Sequence, residues 1–190
     1  MNRVAIVAAA LVGVLVTPAK SSASSITNGG FEDGLSGWTI DSAGAGSLLF
    51  GGGHGHSGSG AAVFGAIGTH DDTLSQTFAT DPGESYTLTF WLSHGATDNV
   101  NDFSAWWDGT PLLELRNAPR FGQQRYTFVL TALDDQTTLR FSGRELRDYY
   151  FLDDVDVAPI PTPEPTTVIL MVGGIVIMTR LRKRPPRSEL

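Results

Sequence analysis

Alternating apolar and polar residues dominate the middle of this chain. The clearest example is the segment 85–92, in which every second residue is Tyr, Leu or Phe. A period of two, with many aromatic and β-branched residues, predicts a half-buried β-strand. Similar short segments recur at 48–50, 61–64, 74–78, 103–107, 112–115, 126–130, 138–141 and 151–157. No stretch before Thr166 has the 3.6-residue period of an amphipathic helix.

The turn sequences between these segments have a physical basis. Asp81-Pro82-Gly83 combines a fixed φ at proline with a glycine that tolerates positive φ, and Asp108-Gly109 is a strong hairpin signal. About nine short strands separated by such turns predict an all-β fold, namely a jelly-roll β-sandwich.

The first 23 residues have the features of a secretory signal peptide. Arg3 is followed by an apolar run over 4–16, by Pro18 and then by small residues. Such a segment is removed by signal peptidase and takes no part in the fold. The pattern predicts cleavage after Ala23, with Ala19 as the alternative.

Residues 161–190 combine a proline-rich motif, a short apolar run and a basic cluster. As a helix, the apolar run 168–178 would be about 16 Å long, or about 24 Å with its flanking residues. The hydrocarbon core of a membrane is thicker, at about 30 Å. The run predicts a short transmembrane helix whose basic end stays in the cytoplasm, because positive charge is retained on that side. The residues of the motif and of the cluster are Pro163, Glu164, Pro165, Arg180, Arg182, Lys183 and Arg184.

This arrangement resembles the PEP-CTERM sorting signal of Gram-negative bacteria. The resemblance implies that an exosortase of the inner membrane processes the protein near Pro163-Glu164-Pro165. It also implies that the protein then reaches the cell surface or the extracellular space, often in species that make exopolysaccharide. An ordinary C-terminal tail anchor is the alternative interpretation.

The remaining segment, 24–160, is strongly acidic. It is the size of one domain and contains no cysteine. Its 18 acidic and 6 basic residues give a net charge of −12, whereas the whole chain has −7 because the segments outside it add 7 basic and 2 acidic residues. Such an acidic surface argues against a nucleic-acid partner and is compatible with calcium or with neutral sugars.

Short motifs at both ends of this segment carry a second resemblance. They are Asn28-Gly29-Gly30-Phe31-Glu32 with Trp38, His56-Ser57-Gly58, Gln76-Thr77-Phe78 and Leu152-Asp153-Asp154-Val155. Together with the strand at 85–92 they look like the jelly rolls of carbohydrate-binding modules. The resemblance implies a structural calcium ion held by Glu32 with Asp153 or Asp154, whose hard carboxylate oxygens suit Ca²⁺. The alternative is that Glu32 caps a turn and that the two aspartates are solvated.

No catalytic motif stands out. The segment 55–59, Gly-His-Ser-Gly-Ser, approaches a nucleophile elbow but ends in serine and lacks the strand–turn–helix context. His54 and His56 lie close together in a glycine-rich stretch, for which a flexible loop is favoured over a metal site. We therefore expect no enzyme activity.

The adjacent residues Trp106 and Trp107 are the first candidates for a ligand contact. Neighbours on a strand face opposite sides, and Trp107 shares its side with Phe103, which we assign to the core. Trp106 then faces outward, where its indole can stack on a sugar ring. Trp91, opposite in parity to the apolar residues of its strand, is the second candidate. The alternative is that both members of the pair fill a two-sided core.

The sequence thus predicts an exported, non-catalytic protein of the cell surface or of a biofilm matrix that associates with exopolysaccharide. Two alternatives stay open, a ligand-free structural surface protein and a polysaccharide-active enzyme. An outward aromatic platform favours binding, whereas convergent and partly buried carboxylates in a cleft favour an enzyme.

Overall fold

The computed structural model describes residues 24–41, 49–65, 69–95 and 100–161. Within these ranges, no helix is long and apolar enough to cross a membrane. The predicted signal peptide, transmembrane helix and sorting motif lie outside the described residues and stay predictions.

In the described residues, ten β-strands form two antiparallel sheets that pack face to face. The strands are β1 (Thr39–Asp41), β2 (Leu49–Phe50), β3 (Ala62–Phe64), β4 (Asp72–Ala79), β5 (Ser85–His94), β6 (Asn101–Trp107), β7 (Thr110–Arg116), β8 (Phe121–Thr131), β9 (Gln136–Glu145) and β10 (Tyr150–Pro159). The first sheet has the order β1-β4-β9-β6-β7, and the second sheet has the order β2-β3-β10-β5-β8. This confirms the predicted all-β sandwich, with ten strands in place of about nine.

Strand parity decides which residues form the core. In β5 the burial alternates along the whole strand, and Tyr86, Leu88, Phe90 and Leu92 are buried between the sheets. Phe141 of β9 faces them from the other sheet, with its ring centroid 5.2 Å from that of Phe90. Burying one such Leu or Phe side chain contributes about 1.5–3 kcal/mol relative to leaving it exposed. The alternating pattern is therefore what drives the two sheets together.

The predicted hairpin at Asp108-Gly109 is present and joins β6 to β7. Both residues have a positive φ, 49° and 79°, as a type I′ turn requires. The pairing of the two strands shifts its register between Ala105 and Trp106. Such a bulge bends a strand and changes the direction of the side chain beside it.

The segment 24–38, which precedes β1, forms no strand and contains Phe31 and Trp38. Both side chains are buried, with ring centroids 5.5 Å apart, but residues 25–37 form turns and bends. Asn28 stabilises the turns because its Nδ2 donates to the carbonyl oxygens of Gly34 and Ser36, each at 3.0 Å. An asparagine side chain offers the backbone these bonds in place of strand pairing.

Candidate functional site

The outer face of the first sheet carries a polar cleft. Its volume of about 460 Å³ falls within the range of about 300–1,000 Å³ that is typical of ligand pockets. The charged and amide side chains that line it include Asp71, Asp102, Glu114, Arg116, Asn117 and Arg144. The cleft therefore offers many hydrogen-bond donors and acceptors to a ligand.

Trp106 also lines this cleft, and its orientation is fixed by two contacts. The indole Nε1 donates to Ser104 Oγ at 2.8 Å, and the guanidinium carbon of Arg140 lies 4.8 Å from the ring centroid. Trp106 is half-buried, whereas Trp107 is 5% exposed and belongs to the core. The two tryptophans face opposite sides of the sheet, as strand parity predicted.

Two carboxyl groups and one guanidinium form the floor of the cleft. Arg144 Nη2 donates to Asp102 Oδ2 at 2.6 Å, and Arg144 Nε lies 3.9 Å from Asp71 Oδ1. Burial raises the pKa of Asp102 and the negative charge of Asp71 raises it further, while the Arg144 charge acts in the opposite direction. The charge of the cleft floor thus depends on the protonation of Asp102.

Sequence reasoning missed this cluster because its members come from three separate segments. The pairing of β6 with β9 places Asp102 beside Arg144, and Asp71 immediately precedes β4 on the far side of β9. The available signal was the alternation of Asp102, Ser104 and Trp106 along β6, which puts all three side chains on the same face.

Trp91, the second predicted ligand contact, lies on the outer face of the second sheet and is covered. The imidazole of His56 stacks on its indole, with ring centroids 3.6 Å apart and ring planes 8° from parallel. His56 is held there because its Nδ1 lies 2.7 Å from Asp154 Oδ2. A sugar ring would have to displace His56 to stack on that face of Trp91.

The glycine-rich loop 55–60 binds carboxylates from both ends of the domain. Glu32 Oε1 accepts hydrogen bonds from the backbone N–H groups of Ser59 and Gly60, both at 2.8 Å. Asp153 Oδ2 accepts hydrogen bonds from the backbone N–H groups of residues 56 and 57, at 2.7 and 3.0 Å. We call this loop, together with the carboxylates of Glu32, Asp153 and Asp154, the glycine clasp.

Glycine is required in the clasp because oxygen atoms approach its backbone closely. Gly58 has a φ of 56°, and a Cβ atom there would lie 2.2 Å from Glu32 Oε1. A Cβ atom at Gly60 would lie 2.2 Å from the carbonyl oxygen of Phe31. Only glycine avoids both the steric and the backbone strain. The segment is thus a loop whose backbone binds carboxylates.

The predicted calcium ligands all hydrogen-bond to the loop 55–60. One oxygen of Glu32 and one of Asp153 each accept two backbone N–H groups, so the lone pairs of these oxygens are already occupied. In the part of the chain that the structure describes, no group of three or more His, Asp or Glu residues could hold a metal ion. Calcium binding stays a prediction.

The clasp leads to a prediction about the pH dependence of stability. Hydrogen bonds from the backbone of Gly60 and Ser59 hold the pKa of Glu32 below its usual 4.5. Ionised Glu32 therefore stabilises the fold above that value, and the contribution is lost as pH falls through the lower folded-state pKa. We expect Glu32→Gln to lower the Tm at neutral pH and to have little effect in acid. Melting curves of both proteins between about pH 7 and about pH 3 test this, and a Tm difference that does not change with pH would contradict it.

No protein-family model matches this chain, and no curated protein matches it. Solved structures do match. A family 61 carbohydrate-binding module in complex with beta-1,4-galactotriose is 18% identical with a TM-score of 0.60, and the match covers 73% of this chain and 100% of the module.

Two further matches have the same sandwich. The enzymatically active domain of bacteriophage CBA120 tailspike protein 4 is 16% identical with a TM-score of 0.55, covering 72% of this chain and 21% of that one. A family 16 carbohydrate-binding module is 16% identical with a TM-score of 0.53, covering 70% of this chain and 99% of that one. At such identities the likeness shows a shared fold, the β-sandwich of carbohydrate-binding modules.

Proposed function

We propose that this chain is an exported, non-catalytic protein that binds polysaccharide in the cleft of the first sheet. The observation that carries the proposal is the position of Trp106 beside Asp102, Glu114 and Asn117 in one cleft. A sugar ring presents an apolar face and a rim of hydroxyl groups. An indole can pack against the apolar face while carboxylate and amide side chains bind the hydroxyl groups. The fold shared with the galactotriose-bound module supports the same function.

A polysaccharide-active enzyme is the second candidate, because carboxylates converge in the cleft. Asp102 and Asp71 both lie beside the guanidinium of Arg144, and the negative charge of Asp71 raises the pKa of Asp102. In a glycosidase, two carboxyl groups about 5–9.5 Å apart flank the scissile bond and leave room for the sugar or a water molecule. Here the guanidinium of Arg144 contacts both carboxyl groups, which favours a binding role over hydrolysis.

A glycan-binding screen with the purified segment 24–160 tests the proposal. This segment suits the test because every member of the core cluster lies between Ile26 and Val157. We expect binding to at least one polysaccharide without release of shorter sugars. Release of shorter sugars would favour the enzyme, and binding to no glycan would favour the ligand-free structural protein. Measuring the Tm of the segment with calcium and with a chelator tests calcium binding. Equal Tm values in both would show that calcium does not stabilise the domain.

We also propose that the C-terminal residues direct sorting by an exosortase. The support is Pro163-Glu164-Pro165 followed by the apolar run 168–178 and the basic cluster. In a strain without exosortase we expect a longer form of the protein that remains in the inner membrane. The same mature size and the same location in deficient and normal strains would leave an ordinary tail anchor as the better explanation.

A further inference from the structure

The outer edge of β8 differs from the three other sheet edges. An edge strand exposes unpaired N–H and C=O groups, and proteins usually protect it by shortness, proline, charge or a bulge. β1 has 3 residues and β2 has 2, while β7 contains Pro111 and two charged residues and pairs through a bulge. β8, which ends the second sheet in the described structure, has 11 residues, no proline and a single charged residue, Arg125. Its pairing with β5 contains one irregularity, between Phe121 and Gln124, and is regular over 124–131.

The two most exposed apolar side chains lie on β8 and just after it. Val129 on the strand and Leu133, two residues beyond its end, are 68% and 78% exposed, the highest values for large hydrophobic side chains among the described residues. On the inner side of β8, Tyr126, Phe128 and Leu130 pack against the core but are only half-buried. Uncovered apolar side chains beside the edge of a sheet are typical of an interaction surface.

The charges along this edge have opposite signs at its two ends. The turn before β8 and the first half of β8 carry Arg120 and Arg125, and the sequence 117–131 contains no acidic residue. Asp134 and Asp135 follow the end of the strand, and all four side chains are exposed. When two such edges lie antiparallel, the basic end of each meets the acidic end of the other. The segment is therefore complementary to itself, although the domain as a whole is strongly acidic.

We propose that β8 pairs with β8 of a second copy of this chain about a two-fold axis, which joins the two second sheets into one continuous antiparallel sheet. With Tyr126 opposite the partner's Tyr126, Arg120 lies opposite the partner's Ala132, close to the partner's Asp134. The pairing satisfies the backbone groups of both edges and covers part of the apolar surface. Because the cleft lies on the other sheet, the dimer is independent of the proposed function and leaves both clefts open. Two clefts on one particle would raise the avidity for a repeating polymer.

Sedimentation equilibrium of the segment 24–160 over a concentration series tests this pairing. We expect a monomer–dimer equilibrium that shifts toward monomer as salt is raised, because exposed charges are screened. Two variants reverse the charges at one end of the edge. The acidic-edge variant carries Arg120→Glu and Arg125→Glu, and the basic-edge variant carries Asp134→Lys and Asp135→Lys. Each should be monomeric at concentrations at which the parent chain is dimeric. Mixed in equal amounts, they should form a heterodimer, since the charges reversed in one copy then face those reversed in the other.

A matched control separates this contact from a general effect of net charge. The variant Asp33→Lys, Asp41→Lys makes the same charge change as the basic-edge variant at exposed positions away from β8, and it should remain dimeric. Melting curves establish that each variant is folded. The proposal is overturned if the parent chain is monomeric throughout the series, or if both edge variants dimerise as the parent does.

Discussion

Replacing Trp107 with alanine should strongly destabilise the domain. The side chain is 5% exposed and packs against Phe78 and Tyr86, with ring centroids 5.8 and 6.2 Å away. Removing a buried aromatic side chain costs about 3–5 kcal/mol. In a domain of this size, that loss lowers the Tm by on the order of 10–20 °C. Thermal unfolding of the segment 24–160, followed by circular dichroism, measures the effect.

Trp106→Ala is the matched control for this prediction. It removes the hydrogen bond to Ser104 and the contact with Arg140, which together contribute about 1–2 kcal/mol. The two neighbouring substitutions should therefore differ severalfold in their effect on stability. If Trp106→Ala unfolds the domain as readily as Trp107→Ala, both tryptophans belong to the core and the outward assignment of Trp106 is wrong.

The second large effect is expected at Glu145, which forms a fully buried pair with His94. His94 Nε2 lies 2.6 Å from Glu145 Oε2, and His94 Nδ1 lies 3.4 Å from the carbonyl oxygen of Pro119. The contacts at both ring nitrogens hold His94 in place between Glu145 and Pro119. Glu145→Leu leaves His94 Nε2 buried without its partner and should cost about 1–3 kcal/mol, the penalty of an unpaired buried polar group. Urea unfolding of the segment 24–160 gives this free energy directly.

A double-mutant cycle distinguishes the hydrogen-bonded pair from simple packing. His94→Phe with Glu145→Leu removes both polar groups and retains apolar volume, so the double variant should be more stable than the sum of the two single losses predicts. We expect the difference to be at least about 1 kcal/mol, within the range measured for residues in contact. Strictly additive losses would show that the two side chains do not act as a pair.

The alternation of residues predicted the fold because sandwich strands are specified by near neighbours in the sequence. The burial of β5 follows its period of two, and the turn at Asp108-Gly109 follows from two residues that accept positive φ. The opposite directions of Trp106 and Trp107 follow from the same parity. None of these features requires knowledge of which strands are paired.

The cleft floor and the glycine clasp could not be predicted, because each depends on segments that only the strand order brings together. Arg144 meets Asp102 across 42 positions, and His56 meets Asp153 across 97. The sequence drew attention to Glu32, Asp153 and the loop 55–60 separately. It did not reveal that the amide groups of the loop bind those carboxylates. Parity assigns a residue to a face, but it does not identify its neighbours across the sheet.

The most direct test of the central claim compares Trp106→Ala with Trp91→Ala for binding to a polysaccharide that the parent segment 24–160 binds. Trp106 lines the cleft, whereas Trp91 is covered by His56 on the opposite sheet. Affinity measured by titration calorimetry on folded variants should fall at least about tenfold for Trp106→Ala, equivalent to about 1.4 kcal/mol, and should be unchanged for Trp91→Ala. If Trp106→Ala binds as tightly as the parent while Trp91→Ala does not, the ligand occupies the second sheet and the cleft is not the binding site.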